Sequence, residues 1–66
     1  MTGAEWHRAC ARQLVELGVS PEEADRLAED SGAEARAAGM HPAELFGPAT
    51  AYAASLAKAA RPRPVA

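Results

Sequence analysis

A single cysteine is too few for an internal disulfide, so the chain does not read as a disulfide-stapled secreted scaffold. Aromatic residues are nearly as scarce, with one Trp, one Tyr and one Phe. No apolar run approaches the roughly 18–20 residues needed to cross a bilayer, and the first residues lack the basic-then-apolar pattern of a secretory signal. A cytoplasmic protein without a membrane span is the expectation. Excess basic charge is missing too: seven Lys and Arg stand against nine Asp and Glu, a net charge of −2. That balance argues against a general electrostatic grip on nucleic acid. There is no glycine loop to cradle phosphate, no internal repeat and no motif with metal-ligand spacing.

Alanine is what the chain has in quantity, 18 of its 66 residues. Only 14 larger apolar residues remain: five Leu, three Val, two Met, and the single Trp, Phe, Tyr and Cys. At about 1.5–3 kcal/mol per well-buried large side chain, such a core barely offsets the entropy of ordering the chain. Burial against a partner protein or a second copy is therefore a physical expectation.

Helix signals are clear. Thr2 and Glu5 have capping-box spacing, and Met1 and Trp6 occupy the two hydrophobic-staple positions. Trp6, Cys10, Leu14 and Leu17 form a stripe of 3.6-residue period, while Val15 points the opposite way. Gly18 fits a left-handed helix stop that folds Val19 back on Leu14. Ser20-Pro21-Glu22-Glu23 is a strong start for a second helix, which ends at Gly39. Its inward face is Ala24, Leu27, Ala28, Ser31, Ala35 and Ala38, with Gly32 as a kink in mid-helix. Met40 is expected to pack on Ala35 across the Gly39 stop.

The stretch from Gly39 to Leu56 organises the rest. Pro42 can start a single turn that Gly47-Pro48 stops, and Leu45-Phe46 between them reads as a plug closing a small helical core. Ala49, Tyr52, Ala53, Leu56 and Ala60 line the last helix. Its other side, Ala51, Ala54 and Ser55, is small and uncharged up to Lys58, as a contact face would be.

Few residues offer chemistry. His7 and Cys10 lie three apart on one helix and could share a metal ion with His41, but Cys10 sits on the apolar stripe as a small hydrophobe. The acids Glu22, Glu23, Asp25, Glu29, Asp30 and Glu34 are spread along a helix surface and read as a solvated face. Neither catalytic residues nor a cofactor or metal is expected. Leu17-Gly18-Val19-Ser20 and the following helix look locally like a helix-turn-helix DNA reader. However, five acids and one base between Glu22 and Asp30 give a local charge of −4, which phosphate repels.

The acidic run Glu22–Glu34, then His41-Pro42-Ala43-Glu44-Leu45-Phe46-Gly47-Pro48 and Tyr52-Ala53, resembles the HAAS type of small helical domain. That family is mostly bacterial and often lies beside membrane segments or PadR-like regulators. The likeness spans roughly residues 6–57, and the family's usual acid before the proline is His41 here. The resemblance implies a signalling or adaptor module without catalysis.

The reading is an all-α domain of three helices at 3–17, 21–38 and 48–60, a hairpin plus a capping helix, with an extra turn at 42–46. Residues 1–60 form one domain, and 61–66 a Pro/Arg-rich disordered tail. The expected core is Trp6, Cys10, Leu14, Leu17, Leu27, Met40, Leu45, Phe46, Tyr52 and Leu56. The expected function is a non-catalytic interaction or adaptor module, regulatory in role, binding a protein partner or itself through Val15, Leu45, Phe46, Ala51, Ala54 and Ser55. The alternative is a transcription-linked DNA-binding protein of helix-turn-helix type.

Overall fold

A computed structural model describes residues 2–60. It is all-α, with α1 at Gly3–Glu16, α2 at Pro21–Ala37, α3 at Pro42–Phe46 and α4 at Ala49–Ala60. Each boundary has a visible cause. Thr2 Oγ1 accepts the Glu5 N–H and the Glu5 carboxylate accepts the Thr2 N–H, both at 3.1 Å, which closes the capping box. The Thr2 backbone N–H first, and the Thr2 hydroxyl second, hold the Glu5 carboxyl below the usual carboxylate range. Ser20 Oγ caps α2 by accepting the Glu23 N–H at 3.3 Å. The Met1 half of the staple and the tail at 61–66 lie outside the described residues.

Both long helices end in the same hydrogen-bond motif. Gly18 and Gly39 adopt φ of 99° and 70°, where a side chain would be strained. The chain then folds back: Val19 N–H bonds Leu14 O at 3.0 Å, and Met40 N–H bonds Ala35 O at 2.9 Å.

Helix α1 is central. Helices α2 and α4 both pack along it, whereas α2 and α4 touch one another at few points. Alanine explains this arrangement. Ala24 and Ala28 of α2, and Ala49, Ala53 and Ala57 of α4, form the buried cluster with Trp6, Cys10 and Leu14 of α1. A methyl group lets each backbone approach closely, and the large side chains of α1 fill the shared space. Leu27 of α2 and Tyr52 and Leu56 of α4 are bulkier and only half-buried against this cluster.

Three expectations about burial need correcting. Leu45 is 39% exposed. Adjacent helical residues point about 100° apart, so Leu45 and Phe46 cannot both face inward. Phe46 takes the inward place, one turn after the buried Pro42. Met40 is also 39% exposed. Its backbone bond forms, but the Ala35 methyl gives its side chain little to fold over. Ala38 is the C-cap of α2 and exposed. In the other direction, Ala57 belongs to the core although the expected stripe passed it by. Gly32 neither crowds a neighbour nor adopts positive φ, and α2 is one unbroken helix through it.

Candidate functional site

The side chains that converge are aromatic. Trp6 is fully buried, and its indole N–H donates to Gly47 O at 3.0 Å, tying α1 to the link between α3 and α4. Phe46 and Tyr52 stack at 4.4 Å between centroids, and Trp6 lies 6.0 Å and 5.7 Å from them. Such ring pairs contribute about 0.5–1.5 kcal/mol beyond the area they bury. The Ser31 hydroxyl donates to Leu27 O at 2.9 Å and lies 3.1 Å from the Tyr52 hydroxyl. Since Ser31 has one proton to give, Tyr52 is the donor in that contact. This is the polar tie between α2 and α4.

The residues expected to bind a partner are divided by the fold. Val15 is 42% exposed on the outward side of α1, opposite the Trp6 stripe. Phe46 is half-buried in the aromatic cluster, and Leu45 projects beside it. On α4, Ala51, Ala54 and Ser55 are all exposed. Ala51 and Ser55 border the row formed by Tyr52 and Leu56, whereas Ala54 lines a shallow crevice with Leu17, Ala57 and Lys58.

The possible metal ligands do not meet. Cys10 has no solvent contact, and burial pushes its thiol up from the ordinary value. His7 Nε2 is 2.9 Å from Asp25 Oδ1, joining α1 to α2. A partly exposed pair of this kind contributes about 0.2–1 kcal/mol. His41 Nδ1 accepts the Ala43 N–H at 3.0 Å and caps α3. Among the described residues, no group of three or more His, Cys, Asp or Glu side chains could hold a metal ion.

No protein family, curated protein or solved structure matches this chain.

An open groove between α1 and α2 is lined by His7, Arg8, Glu29, Gly32, Arg36 and Pro42. Its charged side chains are of both signs. The outward face of α2 keeps Glu22, Asp25, Glu29 and Asp30 exposed, so the helix in the position of a DNA reader offers an acidic surface. No helix among the described residues is long and apolar enough to cross a membrane.

The cap made by His41 was not read from the sequence. A usable signal was present, because a residue immediately before a proline that starts a helix occupies the N-cap. There the imidazole nitrogen accepts a backbone N–H.

Proposed function

We propose that this chain is a non-catalytic interaction module that associates through α4, with a second copy of itself as the occupant. One observation carries the reading: among the described residues, the largest fully buried side chains are just Trp6, Leu14 and Cys10. Leu17, Leu27, Phe46, Tyr52 and Leu56 lie against this core but are only half-covered. Covering them further would add apolar burial that the isolated domain lacks, at about 25 cal/mol per Å². The surface nearest Tyr52 and Leu56 suits helix packing, since Ala51 and Ser55 are small, uncharged and exposed. A two-fold arrangement would let α4 pack on its own copy. The resemblance to HAAS-type domains favours the same adaptor class, and a regulatory role in a bacterial cell belongs to this proposal.

Glutamate placed on α4 tests the surface. Ser55→Glu puts a charge beside the Tyr52–Leu56 row, and Ala54→Glu puts one at the Leu17 crevice. The reading expects at least one to weaken association tenfold or more while the helical circular dichroism spectrum is unchanged. Association of undiminished strength in both variants contradicts it.

A further inference from the structure

Gly32 sits inside α2 with no backbone or packing reason to be glycine. Its φ is not positive, and a Cβ there would meet nothing within 4 Å. Alanine would favour the helix by about 1 kcal/mol. What the missing side chain does is leave space in the groove between α1 and α2. That groove has a volume of about 570 Å³, within the ~300–1,000 Å³ usual for small-molecule sites. Ala4 and Pro42 add apolar lining, while Arg8 of α1 and Arg36 of α2 each bring a guanidinium group.

Neither arginine forms an ion pair among the described residues. Glu5, one turn before Arg8, is held by the Thr2 N–H. On α2 the places where an acid could pair with Arg36 along the helix, one turn before it, are taken by Gly32 and Ala33. Glu29 is the acid that lines the groove, two turns before Arg36 and so about 10 Å away along the helix axis. His7, also in the lining, is held by Asp25 at 2.9 Å. Two guanidinium groups against one carboxylate leave the groove short of negative charge. We propose that it binds a small organic anion. A carboxylate or phosphate group is held by the arginines, and an apolar body lies against Gly32, Ala4 and Pro42.

No residue of α4 lines this groove, so the proposal and the α4 interface stand or fall separately. Amide NMR of the full chain at constant ionic strength tests it, with benzoate and phenyl phosphate as probes and benzyl alcohol as the uncharged control. The Gly32 and Ala4 amides are expected to shift saturably with at least one anion, and the alcohol to bind about tenfold more weakly. A response to benzoate alone assigns a carboxylate ligand, and one to phenyl phosphate alone a phosphate. Replacing both arginines, Arg8→Gln with Arg36→Gln, is expected to weaken binding about tenfold or more. Gly32→Leu fills the groove and is expected to do the same while raising Tm, because Leu is the better helix former. No saturable shift with either anion would overturn the proposal, as would equal binding of the alcohol or undiminished binding in either variant.

Discussion

Cys10 shows how one buried group makes stability depend on pH. Its thiol has no solvent contact and its ionisation is pushed up by burial. In the unfolded chain the thiol ionises as pH rises past about 8.5, while the folded thiol still holds its proton. The stabilisation is therefore complete below that value and is lost as pH climbs toward the higher native one. Unfolding free energy is expected to decline more steeply in alkali for the wild type than for Cys10→Ala, whose lower stability should carry a flatter slope. Alkylation should also be slow in the folded protein and fast in denaturant; rapid reaction without denaturant would contradict the burial. That Cys10 faces inward was legible, because Trp6, Cys10 and Leu14 share one stripe. The fate of His41 was not, because a histidine's role depends on which atoms its two nitrogens meet. Spacing made it a possible metal ligand, whereas the turn at Pro42 makes it a cap.

At the scale of the element, helix ends were legible and alanine faces less so. Thr2, Ser20, Gly18 and Gly39 each do what their chemistry dictates, and every helix falls within one residue of its expected bounds. Alanine fits core and surface alike, so a stripe drawn through α4 included Ala49 and Ala53 but passed by Ala57. The register became visible only when α4 lay against α1. The tie from Trp6 to Gly47 spans 41 residues and has no local signature at all. Gly32 gives a sharp check on α2. A Cβ there would meet nothing within 4 Å, and the backbone is not in the left-handed region. Gly32→Ala is therefore expected to stabilise the protein by about 1 kcal/mol, the propensity difference between the two residues. In a domain of this size that corresponds to a Tm higher by about 4–8 °C. An unchanged or lower Tm would mean that Gly32 has a role the packing does not reveal.

At the scale of the molecule, one central helix is flanked by two that reach it through alanine. Close approach economises on large side chains, but it leaves Leu27, Tyr52 and Leu56 only half-covered. In the proposed reading, low stability and association have the same origin: too few large side chains to finish the core from within. Stability should accordingly rise with protein concentration, because a species formed by two folded copies draws the folding equilibrium with it. The most direct measurement is sedimentation equilibrium of the wild-type chain from micromolar to millimolar concentration, paired with its Tm across the same series. The account predicts a mass that shifts from monomer to dimer and a Tm that climbs with it. A mass that stays monomeric to millimolar concentration, with a Tm that does not move, would contradict it.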